Sequence, residues 1–148
     1  MFVETMRTDL TAALRAGEAL KVGTLRMALT AISEAEVAGR SRRTLTDDEA
    51  QKVVAKEAKK RRESARVYLD ADRPERAATE TAEAEVLEAY LPQQLGEAEL
   101  AALVDEVLAA EGISTRAQMG AAMKAVSARV QGRADGGAVA ALVRARLA

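Results

Sequence analysis

Apolar residues recur along the chain at three- and four-residue spacing rather than in alternation, the period of helices that bury one face. Val3, Met6, Leu10, Ala13 and Leu14 make the first such stripe, and Gly17 stops it. Leu25, Leu29 and Ile32 predict a second helix ending near Gly39, and "SRRTLT" then reads as a loop. Thr46 and Glu49 have the spacing of a capping box, in which each side chain accepts the other's backbone N–H. They predict the start of a long third helix, with Val53, Val54, Ala58, Ala65 and Leu69 inward. Pro74 fits the first turn of a fourth helix running to about Tyr90, because its missing N–H would have no partner there.

"YLPQQLGEAEL", residues 90 to 100, breaks this rhythm. The residue before a proline is pushed out of helical geometry, so Pro92 ends the preceding helix. Two domains are expected, 1–92 and 93–148. Beyond the break, Glu97 to Glu111 places Leu100, Leu103, Val104, Val107 and Leu108 on one face, and Gly112 closes it. Ser114 is the expected cap of a helix carrying Met119, Met123, Val126 and Val130, stopped by Gly132. Asp135 caps the last helix, with Val139, Leu142, Val143 and Leu147 inward. The fold class is all-α: a multi-helix N-terminal domain followed by a small three-helix C-terminal bundle.

Composition changes what such helices can pack. Of the 148 residues 34 are alanine, so the 49% apolar fraction contains few large side chains and the cores should be thin. Cysteine and histidine are both absent. A cysteine nucleophile and a histidine general base are therefore excluded, and the thiolate and imidazole metal ligands are missing. No cofactor and no metal is expected. "MFVETMRTDL" lacks the basic and apolar regions of a signal peptide, and no apolar run approaches the ~20 residues of a membrane span. A soluble, cytoplasmic protein is the expectation.

The formal net charge of −1 hides a block pattern. Arg40–Arg66 carries ten Lys/Arg against five Asp/Glu, Asp70–Glu111 two against twelve, and Ser114–Ala148 six against one. Such segregation marks surfaces with different partners or attraction within the molecule. In "KEAKKRRESAR", residues 56 to 66, Glu57 meets Arg61 and Lys59 meets Glu63 at i,i+4. That leaves Lys56, Lys60 and Arg62 available to phosphates, although a solvated helix face is the more common origin of such a run. Strong single-strand binding is not expected, for no aromatic residues interleave the basic ones. Glu80, Glu83, Glu85 and Glu88 lie on a regular helix with no carbonyl-rich loop nearby, and read as a solvated face.

"VQGRADGGAV", residues 130 to 139, is the most informative stretch. Gly136 and Gly137 fall in a first helical turn, where each costs up to about 1 kcal/mol relative to alanine. Either something packs too closely for a Cβ, or exposed N–H groups there approach a phosphate. Lys124, Arg129, Arg133 and Arg144 surround the cluster and favour a polyanion, whereas the Asp135 carboxylate would repel one. On spacing alone the tight turn is favoured.

"MGAAM" at 119–123, "GRADG" at 132–136 and "VAALVRARL" at 139–147 together resemble the C-terminal signature of the GatB/YqeY family. "YLPQQL" resembles the hinge of stand-alone members, and "LRMALTAISEAEV" with "EAKKRRESARVY" resembles their first domain. The similarity spans nearly the whole chain in the same order. It implies an all-helical first domain and a three-helix tail domain shared with the amidotransferase B subunit, where the tail grips tRNA rather than performing chemistry. Carried onto this chain, the RNA-binding candidates are Lys124, Arg129, Gly132, Arg133, Gly136 and Arg144, with Lys56, Lys60 and Arg62 in the first domain. Gly120 and Met123 fit packing better than ligand contact. Gln131 before Gly132, and Gly137 where a larger polar residue is more usual, depart from the family pattern. The expected partner is tRNA, with a glutaminyl-tRNA synthetase or an amidotransferase complex as a further candidate; neither DNA nor a membrane is expected. No catalytic residue is assigned, although stand-alone members are commonly labelled carbon–nitrogen ligases with glutamine as amido donor. A component of such a ligase, and a helical protein-interaction module, are the alternative readings.

Overall fold

Seven α-helices and one 3-10 turn make up the structure, a computed structural model describing residues 1–148, and there are no strands. The helices are α1 (Phe2–Ala16), α2 (Ala19–Val37), α3 (Asp47–Asp70), α4 (Pro74–Glu88), α5 (Glu97–Glu111), α6 (Met119–Val130) and α7 (Gly136–Arg146). The turn, Arg116–Gln118, runs directly into α6. None of the helices is long and apolar enough to cross a membrane. The chain divides into two compact units, Met1–Leu91 and Pro92–Ala148.

In the first unit, Gly17 ends α1 in the left-handed conformation (φ 71°), and its N–H and that of Glu18 bond back to Leu14 and Ala13. The Thr46–Glu49 capping box starts α3: the Thr46 hydroxyl accepts from the Glu49 N–H at 3.2 Å, and Glu49 Oε2 accepts from the Thr46 N–H at 2.9 Å. Pro74 stands in the first turn of α4. The core gathers Met6, Leu25, Ala28, Ile32, Leu45, Ala50, Val54, Ala58 and Leu87. Two expected inward positions differ: Leu14 and Leu69 are 48% and 60% exposed. Each lies in the last turns of its helix, beside a reversal where nothing covers it.

Glu49 also binds Arg43 with both carboxylate oxygens, at 2.8 and 2.9 Å. The Arg43 hydrogen bonds and the Thr46 backbone N–H bring its pKa from 4.5 down to about 2. A depressed carboxylate stabilises the fold above its unfolded pKa and loses that contribution as pH falls from about 4.5 to about 2. Glu49→Gln should therefore flatten the acid limb of stability in that window by lowering stability at neutral pH, where the carboxylate contributes fully, and should converge with the wild type near pH 2. Urea melts at several pH values check this, and an acid limb as steep as the wild type's would refute it.

In the second unit, Leu100, Val104, Val107, Leu108, Ala122, Val126, Val130, Val139, Val143 and Leu147 close one core among α5, α6 and α7. Gly112 ends α5 with φ 64°. The expected Ser114 cap is displaced by one residue: Thr115 and Gln118 form the capping box, and Gln118 Oε1 also accepts the Ser114 N–H at 3.0 Å. The Ala148 N–H bonds to the Ser114 carbonyl, and the Arg116 N–H to the Ala148 carbonyl, tying the turn to the residues after α7.

Candidate nucleic-acid interface

The corner between α6 and α7 is built from backbone, not from a ligand cradle. Gln131 and Gly132 are both left-handed, φ 52° and 75°, so the reversal is shared by two residues where Gly132 alone was expected to stop α6. The Asp135 carboxylate caps α7 by accepting the Ala138 N–H at 3.1 Å. A Cβ on Gly136 would meet nothing, which excludes close packing as the reason for that glycine. A Cβ on Gly137 would come to 3.0 Å of Asp135 Oδ2, so this glycine makes room for the capping carboxylate. An anion at this helix start would face that carboxylate, and Gly132 and Gly136 therefore build the corner.

Arg133 is part of the same corner. Its Nε donates to the Gln93 carbonyl at 3.0 Å, and its own carbonyl accepts the Leu95 N–H at 2.7 Å. Gln94 Nε2 reaches the Gly132 carbonyl at 3.3 Å. The segment "QQL", residues 93 to 95, is thereby stitched onto the α6–α7 corner within the second unit, and Arg133 is half-buried.

The remaining cations of this unit divide by the way they face. Arg129 on α6 pairs with Glu106 of α5 at 3.1 Å, and Arg146 on α7 pairs with Asp105 of α5 at 2.7 Å. The Asp105 carboxylate raises the Arg146 pKa above its ordinary value. Lys124 lies five residues from Arg129, about 140° around α6, and Arg144 lies two residues from Arg146, about 200° around α7. Lys124 and Arg144 are exposed and unpaired, and so is Arg116 on the 3-10 turn. Sequence reasoning named Lys124 and Arg144 but missed Arg116. It also named Arg129, which the structure pairs with Glu106.

In the first unit the acidic and basic blocks meet between α3 and α4. Arg62 binds Glu88 through two hydrogen bonds, 2.8 and 2.6 Å, which raise its pKa. Lys60 binds Glu57 at 2.8 Å. Burial works against the charge on Glu57, but the hydrogen bonds from Lys60 and Arg61 outweigh it and hold its pKa below the ordinary value. Lys60 and Arg62, expected to be left to phosphates, are thus each paired with a carboxylate, and Glu83 and Glu88 are partners of α3 rather than a solvated face. What remains is a stripe along the exposed side of α3. Lys52, Lys56, Lys59 and Arg66 follow one another at helical spacing over about 21 Å, interrupted by Glu63. Of these, Lys52, Lys56 and Arg66 are unpaired. Lys52 and Arg66 were legible as a seven-residue repeat with Lys59.

Helix order and charge layout define a class: an all-helical protein of two units, each pairing off part of its basic residues and exposing the rest. The sequence model of the family described as Yqey-like protein matches residues 3–147, and the chain belongs to that family. No curated protein matches the chain.

Proposed function

We propose that this Yqey-like protein is a non-catalytic tRNA-binding accessory to tRNA-dependent amidation or glutaminyl-tRNA formation. The observation that carries the reading is the division of cations in the second unit. Those facing α5 are neutralised by Glu106 and Asp105, whereas Lys124, Arg116 and Arg144 keep their charge toward solvent. Three unpaired cations on a unit of 57 residues that holds no exposed aromatic suit a phosphate backbone read by shape and charge. The Lys52–Lys56–Arg66 stripe supplies a second set of the same kind.

Phosphate binding releases counterions, so affinity falls with salt in proportion to the phosphates neutralised. For three to four contacts in the second unit, log K against log[salt] should have a slope of about −3 to −4. Filter binding of tRNA at several salt concentrations measures it. Lys124→Gln should weaken binding and make the slope shallower by about 1, whereas Arg129→Gln should change it less. No binding at low salt, or equal effects of the two substitutions, would overturn the proposal.

A further inference from the structure

A shallow pocket of about 280 Å³ lies between the 3-10 turn and the end of α7, lined by Arg116, Met119, Arg144 and Leu147. We infer that this pocket holds a single unstacked nucleotide of the bound RNA, its base on Met119 and Leu147 and its phosphate between Arg116 and Arg144. The inference rests on the RNA reading above and gives it a subsite.

The two kinds of side chain in the pocket call for two kinds of chemistry in one ligand. Neither guanidinium has a side-chain partner, and no Asp or Glu side chain lines the pocket. A planar guanidinium presents its donors as a fork that fits two oxygens of a phosphate, which a lysine cannot do. The floor is apolar: Leu147 is 5% exposed and belongs to the core, and Met119 packs against that core. Methionine sulfur and aliphatic side chains take the face of an aromatic ring well. A free phosphate would leave the floor uncovered, and a neutral aromatic would leave two arginines unanswered. A nucleotide answers both, and loop or end nucleotides of a folded RNA are the ones whose bases splay out.

The pocket is also held in shape before anything binds. Its two walls are joined by the Arg116 N–H to the Ala148 carbonyl at 3.1 Å and by the Ala148 N–H to the Ser114 carbonyl at 3.0 Å. The Thr115–Gln118 box fixes the turn that carries Arg116. The backbone of the pocket needs little ordering on binding, and the cost is confined to the two arginine side chains, which favours recognition of a small group. The volume lies just below the roughly 300–1,000 Å³ of small-ligand sites and admits one nucleotide, not a duplex segment.

The test uses the full chain labelled at methionine methyl groups, with the Met119 resonance assigned by Met119→Leu. Adenosine monophosphate, inorganic phosphate and adenosine are titrated separately. The monophosphate should shift the Met119 methyl through the ring current of its base, phosphate should not, and adenosine should do so only at much higher concentration. The double variant Arg116→Ala/Arg144→Ala should weaken the monophosphate response at least tenfold, while Arg26→Ala, an exposed cation of the first unit, leaves it intact. All three residues are exposed and unpaired, so the variants should fold, which circular dichroism verifies. An unmoved Met119 methyl at millimolar monophosphate, or an undiminished response in the double variant, overturns the subsite. Against tRNA, the same double variant should make the salt slope shallower by about 1, the one phosphate the two arginines share. If tRNA binds with an unchanged slope, the subsite is refuted and the RNA reading stands. If the monophosphate binds as described and tRNA does not bind at all, the pocket stands as a nucleotide site and the RNA reading falls.

Discussion

Arg61→Ala is expected to destabilise the fold by about 2–4 kcal/mol, the loss of a buried charge partner discounted for carboxylates that keep some solvent. Arg61 is 5% exposed on the inner face of α3, although it sits in the middle of a run of charged residues. One of its terminal nitrogens donates to both the Glu57 carboxylate and the Glu57 carbonyl at 3.2 Å, and the other meets the Met27 sulfur at 3.5 Å. Nε lies 3.3 Å from the Glu83 carboxylate of α4, close enough for charge attraction but without an aligned hydrogen bond. One guanidinium therefore joins α2, α3 and α4. Removing it leaves Glu83 partly buried without a cation, which costs more than the pair itself contributes. Lysine should rescue poorly, since a single ammonium cannot reach Glu57, its carbonyl and Glu83 from one position. Arg61→Met with Glu83→Gln should recover much of the loss by removing both charges at once. Urea unfolding followed by circular dichroism measures the wild type and the three variants side by side. A loss below about 0.5 kcal/mol in Arg61→Ala would show that the buried contacts contribute no more than an exposed ion pair does.

Arg61 also shows where reading the sequence stopped. Glu57 and Arg61 were legible as an i,i+4 pair, because helical spacing reports contacts within one helix. The contacts of Arg61 with Glu83, and of Arg62 with Glu88, join different helices, and no local spacing reports them. A signal for burial was nevertheless present. Ala50, Val54, Ala58 and Ala65 define the inner face of α3, and position 61 falls on it between Ala58 and Ala65. The charge of the residue masked its register. Helix starts and stops were more legible where one side chain or one dihedral decides them, as at Thr46–Glu49, Pro74, Gly17 and Gly112. Around residue 114 two hydroxyl residues compete, and only Thr115 has a glutamine three residues on, so the box and the 3-10 turn form there. That shift carries Arg116 to the pocket edge, which is why the candidate site was incomplete without it. The α6–α7 corner was read as a turn, but Gly137 was not assigned its purpose, because the space it leaves for the Asp135 carboxylate is a three-dimensional fact.

Leu87→Ala is expected to cost about 3–5 kcal/mol, the upper part of the range for large-to-small core changes. The reason is the composition of the surrounding core. Leu87 is fully buried, and its cluster includes Ala28, Ala50 and Ala58. A cavity is relieved when neighbours change rotamer to fill it, and alanine has no rotamer to change. The few large residues of the cluster thus supply most of its apolar contact, and the hole left by Leu87 should persist. Tyr90 is one turn further on. Its hydroxyl donates to Asp9 of α1 at 2.5 Å, and its ring meets Phe2 edge-on at 6.3 Å. Burial first, and then the Asp9 carboxylate, raise the Tyr90 pKa well above the usual tyrosine range. Loosening the end of α4 should return Tyr90 toward an ordinary tyrosine, so its phenolate should form at lower pH in Leu87→Ala than in the wild type. Ultraviolet titration reads this against Tyr68, the only other tyrosine. Leu87→Met keeps the volume and should cost less than about 1.5 kcal/mol. Leu14→Ala, at a site 48% exposed, removes the same atoms where they were already half in water, and should cost about 1 kcal/mol or less. Equal losses at Leu14 and Leu87 would mean that this core does not depend on its few large side chains; a loss confined to Leu87, together with the shifted Tyr90 titration, would show that it does.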